Sequence, residues 1–367
     1  MSEPLGVSII VVNYNNESFL TAAIDSALGQ NHPKCEIIVV DDCSTDKSRA
    51  IIAGYGDRIK SVLREANGGQ TAALNSAWPL ACHPILIFLD SDDLLLPHAA
   101  ATFASHWSEE IVKIQGPVVT IDKAGRELGT VSPKFPPNLD TAMLRRALLR
   151  TGCSPLSNGS GSAFSRALME SIARDGGFDL SPREMWMEWI LECNAPFYGK
   201  VLTIFEPQGC YRVHGSNLYY INSIDPARFA RECRNFEMKL DYFVDRCEKW
   251  GVSFERDVAR NSALWPLECR LISDKLSHIR DSLTEPVWRT SLRALKACIN
   301  NEVAVSNRVI HAAWLVSVAV SPRALALRLV ELRFLVTKRP AWVQKFITVI
   351  ANITSCAPAS RRRMVYR

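Results

Sequence analysis

Paired cysteines are missing from this sequence. Its eleven cysteines stand singly between Cys35 and Cys356, with no CxxC among them, which argues against a zinc ribbon. An odd number without paired spacing fits reduced thiols and a cytoplasmic protein. A basic leader is missing too. The chain opens with Glu3, and its first apolar stretch, residues 7–12, stops at Asn13, short of what a secretory signal peptide needs. No stretch reaches the roughly 20 uninterrupted apolar residues of a spanning helix. No GxGxxG follows the first apolar run, which disfavours an NAD enzyme. A nucleotidyltransferase would want a Gly-rich loop bearing Arg or Lys there, and Asn13-Tyr14-Asn15-Asn16 stands in its place. Internal repeats and low-complexity linkers are also lacking.

What is present suits a globular protein with a real core. The 367 residues are 47% hydrophobic and 22% charged, with room for one large α/β domain plus an appendage, or for two domains. The net charge of +5 is uneven. From Ser321 to Arg367, ten Lys/Arg face Glu331 alone, so that tail carries +9 and the rest of the chain −4. The basic character belongs to the tail and describes no catalytic body.

Four apolar runs set the fold class: residues 7–12 (VSIIVV), 36–40 (EIIVV), the weaker 58–63, and 84–89 (PILIFL), with a fifth beginning at Val118–Ile121. Unbroken apolar strands imply burial on both faces and hence a parallel sheet. Helical patterns lie between them, at Glu17–Leu28, 46–55, 70–81 and 97–107. Alternation of this kind predicts a doubly wound α/β sheet. Ligands of such sheets sit beyond the carboxyl ends of the strands, where each of the first four runs ends in a polar or acidic cluster. Residues 133–214 loosen into short helices, short strands and a Gly/Ser-rich loop around Ser157-Asn158-Gly159-Ser160-Gly161-Ser162. From Pro226 onward the pattern is helical.

Asp90-Ser91-Asp92-Asp93 closes the fourth run. Three carboxylates within four residues repel one another and call for a cation or for wide exposure. Hard oxygen ligands at that density suit Mg²⁺ or Mn²⁺, ions that also bind substrate phosphates. The alternative is a turn, with Asp93 starting the helix near Pro97. Asp41-Asp42-Cys43-Ser44-Thr45-Asp46 reads two ways as well: as a carboxylate for a nucleotide base or ribose, or as a capped helix start with Ser44 or Thr45 as the cap. Tyr14 has the ring to stack on a base, or is an ordinary half-exposed tyrosine.

VSIIVVNYNN, EIIVVDDCSTD, NGGQTAALNSA and ILIFLDSDDLLLP, in that order and spacing, resemble the family-two inverting glycosyltransferases of the GT-A fold, a likeness covering roughly residues 5–218. The resemblance implies a Rossmann-like GT-A domain over 1–224, followed by a helical region over 225–367. It implies a nucleotide-sugar donor, most often UDP-linked, a divalent metal (Mn²⁺ or Mg²⁺) and inversion at the anomeric carbon. Carried over by position, Tyr14 and Asp42 would hold the base, Asp90 the ribose, and Asp92 the metal bridging the phosphates. Val12, Asn67, Gln70 and Ser91 would complete the donor pocket. Tyr211-Arg212-Val213-His214-Gly215-Ser216-Asn217 resembles the closing motif, with Arg212 toward the diphosphate and His214 toward the metal. Ser160-Gly161-Ser162-Ala163-Phe164 resembles the acceptor-side strand, unless it is a plain loop. The acceptor implied is a glycan or a lipid-linked sugar, in a bacterial surface-polysaccharide setting.

An attacking hydroxyl needs a base, and here the pattern departs. In Arg183-Glu184-Met185-Trp186-Met187-Glu188-Trp189, methionine stands where the family carries its Asp. Glu184 is the leading substitute. Glu188, about one turn along, and Asp179 follow. Without a base, the chain would be a non-catalytic nucleotide-sugar-binding or scaffold protein.

In the C-terminal third, Trp250, Trp265 and Trp288 read as helix-packing anchors. Residues 309–320 are too short to span a bilayer. In residues 325–336 and 341–353, basic side chains interleave with Leu, Trp and Phe before Arg361-Arg362-Arg363. That pattern suits peripheral contact with the anionic inner face of the cell membrane or a helical bundle with a solvated basic face. No motif supports a nucleic-acid partner.

Overall fold

The computed structural model describes residues 3–153, 159–178, 186–215, 217, 223–277, 286–300 and 305–335. The chain divides into two compact units, residues 1–217 with 238–256, and residues 218–237 with 257–367. In chain order the first contains β1 (Val7–Asn13), α1 (Glu17–Leu28), β2 (Cys35–Asp41), α2 (Ser48–Gly54), β3 (Lys60–Leu63), α3 (Gln70–Ala77), β4 (Ile85–Asp90), β5 (Leu94–Leu95), α4 (Ala99–His106), β6 (Ile111–Gln115), β7 (Val118–Ile121), β8 (Glu127–Ser132), α5 (Thr141–Thr151), β9 (Ser162–Ser165), α6 (Arg166–Arg174), α7 (Met187–Tyr198), β10 (Lys200–Thr203) and β11 (Gly209–Arg212). Then come α8 (Pro226–Lys249), whose residues fall in both units, and α9 (Arg256–Ser262), α10 (Leu264–Leu276), α11 (Val287–Ile299), α12 (Val305–Val320) and α13 (Arg323–Phe334).

The main sheet has seven strands in the order β10-β6-β9-β4-β1-β2-β3. All neighbours are parallel except β9, which runs antiparallel between β4 and β6. Successive side chains of a strand point to opposite faces, and both faces here are covered. Ile9, Val11, Val39 and Leu89 pack with Leu20, Ile24 and Phe103. Ile10, Ile38, Val40 and Phe88 pack with Leu74, Met169 and Ile190 on the other side. That two-sided burial is why the runs read as continuously apolar. Each such side chain contributes about 1.5–3 kcal/mol of transfer free energy.

From β1 the chain winds outward through β2 and β3, then returns to lay β4 on the other flank of β1. Registers Asn13↔Asp41 and Val12↔Asp90 align the carboxyl ends of three strands. The crevice at this reversal is where open α/β sheets bind ligands.

Val118–Ile121 is a strand, yet it belongs to a second sheet of order β5-β11-β7-β8. The main sheet instead takes Ile111–Gln115, hidden in the sequence because Lys113 and Gln115 interrupt its apolar character although both are buried. The helix expected over 46–55 starts at Ser48. Neither Ser44 nor Thr45 caps it: Ser44 Oγ accepts from the Asn15 N–H at 2.8 Å and Asn13 Nδ2 at 3.2 Å, while Asp46 Oδ1 accepts from Ser48 N–H at 2.9 Å. The helix expected over 70–81 tightens into a 3₁₀ turn at Trp78–Leu80, where Pro79 removes a donor. The one expected over 97–107 spans Ala99–His106.

Trp250 is an anchor, stacked on Phe197 at 4.3 Å, and Trp265 meets Phe334 edge-on at 5.9 Å. Trp288 is not, being 58% exposed. In the second unit, α10 to α13 enclose a separate apolar core that includes Leu271, Ile272, Leu315 and Val330. Buried Glu268 pairs there with Arg333 at 2.9 Å and with His311. Among the described residues no helix is long and apolar enough to cross a membrane. Residues 341–353 and Arg361, Arg362 and Arg363 lie outside them.

Candidate active site

Three strand-end loops meet at the crevice and are tied to one another. After β1, Asn15 takes a left-handed conformation (φ 50°) and its Oδ1 accepts from the Thr45 N–H at 2.7 Å. Asn16 Nδ2 donates to Ser91 Oγ at 3.0 Å, and the Ser91 N–H donates to the Val12 carbonyl at 3.1 Å. Val12 and Ser91 thus join the ends of β1 and β4. Asp41 is wholly buried and structural, accepting from Asn13 Nδ2, the Ser44 N–H and Arg49 Nε. Tyr14 projects outward, 49% exposed.

Asp42 faces the third loop. Its carboxylate accepts from the Gly68 N–H at 3.1 Å and the Gly69 N–H at 2.7 Å, with Arg64 Nε at 3.1 Å. Gly69 holds φ 84°, open to glycine, immediately before α3. Asn67 and Gln70 flank this glycine pair. From α3, Gln70 Nε2 donates to Asp90 Oδ1 at 3.1 Å, linking this loop to the acidic cluster.

Asp90, Asp92 and Asp93 each bring a carboxylate oxygen within 4.8 Å of the others. Burial, then the Asp92 charge, pushes Asp90 up to about 7, against the pull of the Gln70 hydrogen bond. Asp93 is buried and held well above the carboxylate range by burial, then by Asp92 and Asp90. Its oxygens accept from the Arg212 N–H at 2.9 Å and Ser160 Oγ at 2.8 Å. It therefore ties β4 to β11 and caps no helix. Crowded, partly desolvated carboxylates of this kind fit a hard divalent cation, whose charge would relieve their repulsion.

His214 Nε2 lies 2.9 Å from Asp92 Oδ2, its ring stacked on Phe19 at 4.9 Å. The Arg212 guanidinium is buried. It donates to the carbonyls of Asp92 at 2.8 Å and Lys123 at 3.2 Å, with its carbon 5.1 Å over the Phe19 ring. Neither an exposed ion pair nor a free cation, it braces the acidic turn.

Of the three carboxylates considered for the base, Asp179 and Glu184 lie outside the described residues, as does Met185. Glu188 is in the first turn of α7. Its carboxylate accepts the Gly159 N–H, and burial, then Asp90 and Glu192, hold it well above the carboxylate range while Lys113 opposes them. A Cβ on residue 159 would sit 1.7 Å from Glu188 Oε1, so any side chain there would displace the Glu188 carboxylate. Ser162–Ser165 is a strand in the sheet interior, so the Gly/Ser stretch is more than a loop.

Sequence reasoning missed the group behind Glu188. Lys113, on β6, donates to Gln115 Oε1 at 2.6 Å and to Glu192, one turn beyond Glu188. All three are buried. A lysine inside an otherwise apolar segment was the available signal. A second cluster, Glu36, Cys82 and His83, lies at the amino end of the sheet. Glu36 there accepts from Ser8 Oγ, the Cys82 N–H, Cys82 Sγ and Lys60 Nζ. Four donors fill a carboxylate's lone pairs, leaving none for a metal, so this cluster is a strand-start clamp.

A mainly parallel sheet with an acidic turn at its reversal is the arrangement expected of a GT-A domain. The sequence profile of Glycosyl transferase family 2 matches residues 8–170. A glycosyltransferase of Nostoc sp. strain PCC 7120 is 31% identical over 268 residues, covering 70% of this chain and 80% of that one. This chain belongs to glycosyltransferase family 2 and is a transferase. The poly(ribitol-phosphate) β-N-acetylglucosaminyltransferase TarS of Staphylococcus aureus is 35% identical over 119 residues, covering 30% of this chain and 21% of TarS. In fold, the chain resembles TarS residues 1–349 in complex with UDP-GlcNAc, with a TM-score of 0.51, 17% identity and 89% of each chain covered. It also resembles the mannosyltransferase PcManGT of Pyrobaculum calidifontis in complex with GDP-Man and Mn²⁺, with a TM-score of 0.51, 17% identity, and 96% and 86% of the chains covered.

Proposed function

We propose that this glycosyltransferase moves a sugar, with inversion, from a UDP-sugar to a hydroxyl of a glycan or lipid-linked acceptor in polysaccharide assembly, using Mn²⁺ or Mg²⁺. The observation that carries the reading is the Asp90, Asp92 and Asp93 cluster, with His214 against it, at the sheet reversal.

Asp92 would hold the metal with His214 against it, and Asp90 would contact the ribose. The metal supplies Lewis-acid neutralisation of the departing nucleoside diphosphate. Tyr14 would stack on the base, and the loop of Asn67, Gly68, Gly69 and Gln70, shaped by Asp42, would line the nucleoside side. Arg212 would keep the acidic turn in place. Glu188 would take the acceptor proton as the hydroxyl oxygen bonds to the anomeric carbon and the bond to the diphosphate breaks. Burial raises the proton affinity of this carboxyl, which favours receipt of that proton by the ionised form.

A thermal-shift screen of nucleotide sugars with Mn²⁺, followed by release of nucleoside diphosphate, tests the proposal. Binding without release in the presence of acceptor would favour the non-catalytic reading that Met185 motivates. We place the protein in the cytoplasm at the inner face of the membrane, with the basic tail as one contact. Deleting 336–367, which leaves α13 in place, should then lower its membrane-bound fraction, and unchanged partitioning would reject that contact.

A further inference from the structure

We infer that the second unit carries a lipid-docking face on α11 and α12, independent of the sugar-transfer reading and of residues 336–367. Trp288, Leu292 and Ile299 follow one another at helical spacing on α11 and are 58%, 57% and 60% exposed. On α12, Val309, Val316 and Val320 do the same, at 62%, 43% and 76%. The two helices pack side by side. Their opposite sides supply the core, through Ala294 and Cys298 on α11 and Leu315 and Val318 on α12. An amphipathic helix ordinarily turns polar residues to water. Here both helices turn an indole or aliphatic groups outward, a surface that usually marks a partner.

Charge selects the occupant. Over Val287–Ile299 and Val305–Val320 there is no Asp or Glu, whereas Arg289, Arg293, Lys296 and Arg308 are present. Apolar residues bordered by the exposed cations Arg289 and Lys296 match an anionic bilayer surface, where the apolar groups enter the headgroup boundary and the cations meet phosphate. Trp288, with the Arg289 guanidinium 5.3 Å from its ring centre, has the amphipathic ring favoured at that depth.

Flotation of the full chain with vesicles of phosphatidylcholine, alone or mixed with phosphatidylglycerol, tests the face. Wild type should float with the mixed vesicles, and less at high salt. Trp288→Ser/Val316→Ser/Val320→Ser should lower partitioning about tenfold or more, with donor hydrolysis and circular dichroism unchanged. If that variant fails to fold, Arg289→Gln/Lys296→Gln replaces it, and should weaken binding and flatten its salt dependence. The proposal fails if wild type ignores mixed vesicles, or if both variants float as wild type does, which would assign binding to the tail. A lipid-free dimer that the serine substitutions dissociate would give the face to a second copy and overturn it equally.

Discussion

His214 Nε2 and Asp92 Oδ2 stand 2.9 Å apart, though the residues are brought together from the ends of different sheets. The aspartate follows β4 of the main sheet and the histidine follows β11 of the smaller one. Phe19 closes over the imidazole from α1. The smaller sheet therefore has a direct hand in shaping the acidic turn.

If Asp92 holds the metal, Asp92→Asn should lower transfer by about 10³-fold or more, several kcal/mol of leaving-group stabilisation being lost. His214→Ala, which removes an orienting partner, should cost roughly 10–100-fold and raise the Mn²⁺ concentration needed for half activity. Rates of nucleoside diphosphate release across a Mn²⁺ series measure both. Wild-type rates in Asp92→Asn would remove the metal role.

Glu188→Gln should lower transfer by roughly 10²–10⁴-fold, the range of a lost general base, while thermal shift by the donor persists. Glu184→Gln and Asp179→Asn, measured beside it, decide the assignment. If either loses transfer while Glu188→Gln keeps it, the base lies in the segment before α7.

Lys113 and Glu192 form a buried pair, and removing one partner strands a charge. Lys113→Met should destabilise by about 3–5 kcal/mol, lowering Tm by on the order of 10 °C. The double variant Lys113→Met/Glu192→Leu should recover most of that loss. A Tm unchanged in the single variant would show that the pair is not coupled to folding.

Glu36 sets an acid limit. Burial raises its pKa, but hydrogen bonds from Cys82, Lys60 and Ser8 outweigh it and bring the carboxyl down from 4.5 to about 2. A depressed native pKa contributes stability that is complete above the unfolded value and lost as pH falls toward the folded one. Stability should therefore decline between about pH 4.5 and 2, and Glu36→Gln should flatten that part of the curve. Parallel acid-unfolding curves for both proteins would contradict it.

The first half of the fold was legible because its strands are buried on both faces and write that burial as apolar runs. Glu17–Leu28 is bounded as expected, and Asp90 to Asp93 sit at a strand end as the run before them required. Ile111–Gln115 was illegible because Lys113 and Gln115 satisfy each other inside the core, an arrangement that periodicity cannot distinguish from exposure. The bracing of Asp92 by Arg212 crosses 120 residues of sequence, and no local pattern records a contact of that span. The sequence shows the type of Arg212 but not its carbonyl partners at Asp92 and Lys123.

The reversed strand β9 has a consequence for synthesis. It fills the gap between β4 and β6, so neither strand has its inner neighbour until about residue 165 has been made. A nascent chain ending earlier would present two raw apolar edges, the form most open to pairing with another chain. The Gly-Ser-Gly turn before β9 is thus where the gap between β4 and β6 begins to close, while the outer edge of β6 waits for β10.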